Sequence, residues 1–336
     1  MTPVGPHAVK SFRHEPLIEI ARWIQGELAA GTTRFEMQVL DPDRGRGLYA
    51  GERVGERIHR PYRVWIDLAD RLGLRMLTPI PEGHDAGTDH DDLVTLRFER
   101  LDRREQLRAT GDPTERYGAS SPFARISKGE EPGFVLDLAD AIERTRVSAL
   151  GAKARVLDLG VNTGDEIALM RELGLRDARF VGVDHSASAI EAARVRFPDV
   201  ELHVADLNAL ASLALGRFDL VVSIGTLQSP GVDDRDVVRR VVQDHLAEAG
   251  SVILGLPNCR YVDGELEHGT RVKNLRQPEL GLLLRDATYY RRYLHQHGKR
   301  VFVTGQHYVL VTGVPADDGG FHADPDGDDT PRAPGV

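Results

Sequence analysis

Between Ala154 and Pro257 the apolar residues follow two rhythms in turn. ARVLDL, RFVGVD, VELHVAD, FDLVVSIG and SVILGLP are short, nearly continuous apolar runs of the kind that form buried strands. Helical spacing separates them. Ile167, Leu169, Met170 and Leu173 mark one amphipathic helix, and SASAIEAARVRF a second that Pro198 ends. Val237, Val238, Val241, Val242 and Leu246 mark a third, through DDRDVVRRVVQDHLAE. Strands alternating with helices of about 10–15 residues predict βαβ crossovers and a mostly parallel sheet. The end differs: only Gln306 and His307 separate VFVTG from YVLVTGV. No crossover helix fits there, so these two strands form an antiparallel hairpin.

The upstream pattern is weaker. Leu17, Ile20, Ala21, Ile24 and Leu28 have helical spacing, as do Tyr62, Trp65, Leu68, Ala69 and Leu72. FEMQVL and LVTLRFERL read as strands, and DPDRGRGLYAG and PEGHDAGTDHDD as loops. Residues 1–110 are therefore expected to form a small α+β accessory unit, and 111–130 a linker or lid rich in turn formers. EEPGFVLDLADAIERTRVSAL opens the main domain as a helix, and that domain spans 131–313. Residues 314–336 are expected to form a disordered acidic tail.

Composition narrows the class. A chain of 336 residues, 41% hydrophobic, can bury a sizeable core. No apolar run approaches the ~18 residues of a membrane span, and the first residues show no secretory pattern. The single cysteine, Cys259, excludes an intramolecular disulfide framework or a cysteine-built zinc cage, and a cytoplasmic location fits. The net charge of −9 is unevenly spread: the tail carries −5, whereas 271–300 carries +6. An acidic whole disfavours bulk nucleic-acid binding, but the basic stretch could still meet an acidic substrate.

The sharpest feature is VLDLGVNTGDE, residues 156–166, a turn between a strand and a helix. Gly160 and Gly164 permit close backbone approach. A dinucleotide turn would read G-x-G-x-x-G and hold a pyrophosphate at the helix N-terminus. Here Asp158, Asp165 and Glu166 surround the turn and would repel it. They suit a ligand bearing an ammonium and a sulfonium.

The turn resembles motif I of the class I S-adenosylmethionine-dependent methyltransferases, with Asn162 replacing the middle glycine. Asn is the residue that next best tolerates the left-handed backbone. Further similarities follow in order along residues 131–313: Asp184 closing FVGVD, Asp206 and Leu207 in VADL, Ser223 in FDLVVSIGTLQS, and the closing hairpin. The resemblance implies a Rossmann-like, mostly parallel seven-stranded sheet with a C-terminal antiparallel hairpin. It also implies S-adenosyl-L-methionine as cofactor. Asp158, Gly160, Asn162 and Gly164 would line the methionine and ribose end. Asp184, beside His185, would accept from the ribose hydroxyls. Asp206 and Leu207 would flank the adenine, and Ser223 to Leu227 would pass under the methionine. The turn itself has no cation, so Arg125 or Lys128 is expected to meet the cofactor carboxylate.

Methyl transfer leaves a weak catalytic signature, because the sulfonium is already activated. No Pro-Pro-aromatic motif or cysteine follows the fourth strand, which disfavours amino-adenine and cytosine-C5 acceptors. Asp233 and Asp234 read as a solvated helix start, and no metal site is predicted. After the fifth strand, PNCRYVDGELEHGTRVKN supplies the candidates for orienting a nucleophile or taking its proton: Asn258, Tyr261 and His268. TYYRRYLHQHGKR could hold phosphate or bases, though a helix that buries its tyrosines is the commoner outcome. The leading expectation is transfer to O or N of a small molecule, without a membrane, by a chain compatible with a homodimer. RNA or protein acceptors docked on 271–300 are one alternative, and a non-catalytic binding protein of this fold is another.

Overall fold

A computed structural model describes residues 9–43, 47, 49–80, 93–102, 128–268 and 281–316. The chain divides into two compact units, one comprising 1–107 with 261–267 and the other 108–260 with 268–336.

The first unit begins with β1 (Lys10–Phe12), α1 (Leu17–Ala29) and β2 (Arg34–Leu40). A short hairpin, β3 (Arg53–Val54) and β4 (Arg57–Ile58), precedes α2 (Tyr62–Leu72), β5 (Leu74–Ile80) and β6 (Leu93–Arg100). Its sheet has the order β1-β2-β6-β5. Alternation decides its faces. Phe35, Met37, Val39, Leu96 and Phe98 pack against Ile20 and Ile24 of α1 and Trp65 and Ala69 of α2. The other face is a ladder of charges: Arg34 with Glu99, Arg97 with Glu36, and Arg75 with Glu99. Residues 74–80 were not predicted as a strand, yet β5 follows α2 directly. Gly73 makes this possible by capping α2 in the left-handed conformation, φ 71°.

The second unit opens with a 3₁₀ turn (Lys128–Glu130) and α3 (Pro132–Thr145), which ends at the left-handed Arg146. A 3₁₀ segment, Val147–Lys153, replaces the last part of the predicted helix. Next come β7 (Arg155–Leu159), α4 (Asp165–Met170), β8 (Arg179–Asp184), α5 (Ala187–Arg196), β9 (Glu201–Val204) and β10 (Phe218–Ile224). α6 (Asp234–Arg240) leads into β11 (Leu246–Pro257), then β12 (Cys259–Val262), β13 (Glu265–His268), α7 (Gly281–Gln296), β14 (Lys299–Thr304) and β15 (Tyr308–Pro315). α6 passes into a wide turn that closes at His245, so Ala247 and Glu248 belong to β11 and not, as the periodicity suggested, to the helix. Similarly, Val314 and Pro315 belong to the sheet and not to the tail. The calls on 103–127, 269–280 and 317–336, Arg125 and the tail among them, lie outside the described residues.

The seven-stranded sheet runs β14-β15-β11-β10-β7-β8-β9. β7 to β11 pair parallel with their neighbours, whereas β15 pairs antiparallel with both β11 and β14. Period-two alternation sorts the strand residues into two layers. Val156, Leu220, Val222 and Ile253 pack with α3, α4 and α5. Leu157, Val221, Val252 and Leu254 pack with α6 and α7. Chain order reverses between β7 and β10, and the C-terminal ends of strands at such a switch point are where open α/β sheets bind ligands.

The run Cys259–His268 lies in the segment after the fifth strand that supplies the sequence candidates. It is a hairpin, β12–β13, turning through Asp263 (φ 49°) and Gly264 (φ 80°). The tip is held within the first unit: Arg75 Nε donates to Glu265 Oε1 (2.8 Å), Arg75 Nη2 donates to the Asp263 carbonyl, and the Asp102 amide donates to Asp263 Oδ2 (3.1 Å). In α7, Tyr290 is fully buried, with its hydroxyl donating to Asp234 Oδ2 at 2.7 Å. The tyrosine-rich stretch thus takes the packed form, with Arg291 and Arg292 exposed.

Ser186 caps α5, accepting from the Ala189 amide at 3.2 Å from a side chain with almost no exposure. Ser186→Ala should lower unfolding free energy by about 1 kcal/mol. Urea denaturation would measure this, and an unchanged midpoint would remove the cap from the account.

Candidate functional site

The site begins with the backbone of the turn after β7. Gly160, Asn162 and Gly164 all take positive φ, at 84°, 47° and 87°. Asn162 therefore occupies the left-handed conformation predicted for it. The two glycines are required by neighbours in the protein. A Cβ on Gly160 would lie 1.9 Å from Thr226 Oγ1, and one on Gly164 would lie 2.5 Å from the Phe197 ring. The first contact brings the segment after β10 against the segment after β7 across the switch point.

Asp184 clasps this turn. Its Oδ2 accepts from the Asn162 amide at 3.0 Å, and its Oδ1 from the Ser186 amide at 2.9 Å. One carboxylate thereby fixes both the glycine turn and the start of α5. His185 Nδ1 lies 3.5 Å from Asp184 Oδ1 on a largely exposed ring. Asp206 caps the 3₁₀ segment Leu207–Ser212, accepting from the Asn208 amide at 2.9 Å, and Leu207 is buried. The Ser223 hydroxyl donates to the Leu159 carbonyl at 3.1 Å, tying β10 to β7. Ser223 is buried, so its hydroxyl serves the strand pairing.

The three acids around the turn are not equivalent. Asp165 is paired with Arg196 at 2.6 Å. Glu166 is buried and paired with Lys128 at 2.7 Å. Lys128, expected to reach a ligand carboxylate, is thus committed to Glu166. Asp158 is left over. It is only 1% exposed, and its Oδ2 has no hydrogen-bond partner among the described residues. Burial pushes its carboxyl well above the usual carboxylate range. The charges of Glu166 and Asp184 add to this, and Lys128 opposes it. An orphaned, buried carboxylate of this kind calls for a cation or a hydrogen-bond donor.

A second group of polar side chains gathers at the C-terminal end of β11 and the start of β15, which pair antiparallel. The Asn258 amide donates to the His307 carbonyl and its Nδ2 to the Gln306 carbonyl, both at 2.9 Å. His307 Nε2 lies 3.5 Å from Glu131 Oε2, and the His268 ring stands edge-on to His307 at 4.8 Å. Asn258 Oδ1 and His307 Nδ1 are buried without hydrogen-bond partners among the described residues. The Tyr308 ring packs on Phe134 and under the Lys128 ammonium, 5.3 Å from its centre. Burial, followed by Glu131, pushes the Cys259 thiol up to about 11 and makes it a poor nucleophile. Of the predicted candidates, Asn258 and His268 come together here, whereas Tyr261 stands with the first unit. Glu131, His307 and Tyr308 were not singled out from the sequence, and no motif marks them; Thr226 lies in the segment expected under the methionine. Among the described residues no group of three His, Cys, Asp or Glu could hold a metal.

Known proteins place this arrangement. Residues 156–250 match a family model described as a methyltransferase domain. The chain is similar to the trans-aconitate 2-methyltransferase of Azoarcus sp. (strain BH72), 34% identical over 124 residues. That similarity covers 35% of this chain and 47% of the relative, so the match spans about half the relative's length. Among solved structures, DesVI of Streptomyces venezuelae is 18% identical at a TM-score of 0.37, covering 56% of this chain and 94% of that one. A SAM-dependent methyltransferase from Aquifex aeolicus is 14% identical at 0.40, covering 62% and 100%. The matched segment runs from the second residue of β7 through the glycine turn, β8, β9 and β10 into β11. Residues 156–250 thus match a methyltransferase domain, and they lie in a seven-stranded sheet whose strand order and antiparallel closing pair are those the sequence resemblance implied.

Proposed function

We propose that the chain transfers a methyl group from S-adenosylmethionine to O or N of a small molecule. The observation that carries this reading is the buried, unpartnered Asp158 Oδ2 beside a left-handed turn at the switch point of the sheet. The residues present fit the cofactor. Asp158 offers a carboxylate to an ammonium, Asp184 at the end of the next strand has lone pairs left beyond its two backbone amides for ribose hydroxyls, and Asp206 with Leu207 closes the adenine end. The bound cofactor supplies a methyl group on a sulfonium, already activated for displacement.

What remains for the protein is to orient an acceptor and hold its proton. Asn258, His268 and His307 are the groups placed for that work on the β11–β15 side. Asn258 is fixed by two backbone carbonyls, and His307 is oriented by Glu131. The two unpartnered acceptor atoms, Asn258 Oδ1 and His307 Nδ1, suit a hydroxyl or amine. For α7, the packed tyrosines favour a small acceptor over stacked bases.

Calorimetric titration of the full chain with S-adenosylmethionine should show one site. No heat at millimolar cofactor would end the enzymatic reading.

Asp158 gives a sharper expectation. Its folded pKa lies above the unfolded value, so the ligand-free protein loses stability as pH climbs from about 4 through the folded pKa. Asp158→Asn should abolish that loss and raise the thermal midpoint near pH 8 relative to wild type. It should also weaken cofactor binding by about 10- to 100-fold. A variant whose midpoint tracks the wild type at every pH would refute the assignment.

A further inference from the structure

The cation beside Glu166 comes from far away in the sequence. Lys128 lies in the 3₁₀ turn before α3, yet its Nζ is 2.7 Å from Glu166 Oε1 on α4. Around it stand Tyr308 of β15 and Asp158 of β7, with Cys259 of β12 within Coulombic reach. Burial alone would lower the lysine pKa, but the Glu166 carboxylate hydrogen-bonded to it more than reverses this, so Lys128 stays an ammonium. The charges that face Asp158 are therefore Glu166 and Asp184, both negative, and Lys128. Asp184 is occupied by two backbone amides. Lys128 could have neutralised either buried acid. It is hydrogen-bonded to Glu166, and Asp158 feels it only through space.

We propose that Lys128 is a cofactor-positioning residue, which by neutralising Glu166 reserves Asp158 for the ammonium of the cofactor. This rests on the reading of Asp158 given under Proposed function. Two opposite consequences follow. Without Lys128, Asp158 and Glu166 are buried together with no cation, and one of them keeps a proton that the ligand ammonium must displace. Without the Glu166 charge, Lys128 is free to turn to Asp158 and compete with the ligand. A lysine that merely packs the turn against α4 would produce neither effect on proton uptake.

The test is calorimetric titration of the full chain with S-adenosylmethionine between about pH 6 and 9, in buffers of different ionisation enthalpy, so that protons released are counted. Lys128→Met should show a Kd that falls about tenfold per pH unit, with one proton released, over a range where the wild-type Kd is flat. Glu166→Gln should shift its pH dependence below that of the wild type and bind about tenfold more weakly near pH 8. The double variant should return the pH profile to the wild-type position. Parallel profiles in all four proteins, or shifts of the same sign in the two single variants, would overturn the assignment. Glu166→Gln conserves volume, so it decides the question alone if Lys128→Met does not fold. Binding by wild type without these shifts removes only the role of Lys128. No binding by wild type removes the cofactor reading as well.

Discussion

A carboxylate buried without a compensating partner costs free energy, and the second unit is built around one. Asp158 sits within a central strand, beside the point where strand order reverses. Its neighbours are arranged so that the cost is kept and not relieved. Arg196 takes Asp165, Lys128 takes Glu166, and backbone amides take Asp184. What is left is a single buried acid whose Oδ2 has no hydrogen-bond partner among the described residues. Burial raises the pKa of that acid, so the ligand-free state loses stability as pH climbs through it.

This constraint explains the tightness of the surrounding turn. Asp184 holds the Asn162 amide, Thr226 lies where any side chain on Gly160 would go, and Phe197 does the same at Gly164. The left-handed residues are spaced so that β7, β8 and the segment after β10 meet. Replacing the usual middle glycine with Asn162 costs little, because Asn tolerates this conformation and the contact with Asp184 is made through its backbone.

Local patterns carried much of this into the sequence. Alternation in Val156, Leu157, Leu220 and Val221 already assigns each strand residue to a layer, and the two-residue gap at Gln306–His307 dictates the antiparallel pair. The positive φ at Asn162 was legible from its residue type. Other features were written but overlooked: Asp263–Gly264 between alternating residues is a hairpin signal. β5 was hidden because Pro79 resembles a breaker and the strand starts one residue after a helix cap. The division of labour among the acids was not legible at all. Glu166 and Lys128 are 38 residues apart, and Asp165 and Arg196 are 31 apart. Nothing local distinguishes a carboxylate that folding will neutralise from one that it will leave bare.

The hairpin β12–β13 has an effect on how the chain can be divided. Most of it, 261–267, packs as part of the first unit, although the chain before and after it belongs to the second. The first unit is therefore not a removable prefix. A cut after residue 107 would strand Asp263 and Glu265 without the Arg75 that holds them, leaving two acids and a β-turn with nothing to close upon. Such a chain can gain or lose its accessory unit only if the hairpin changes with it, so the two are bound to vary as one piece, whatever separates them in sequence.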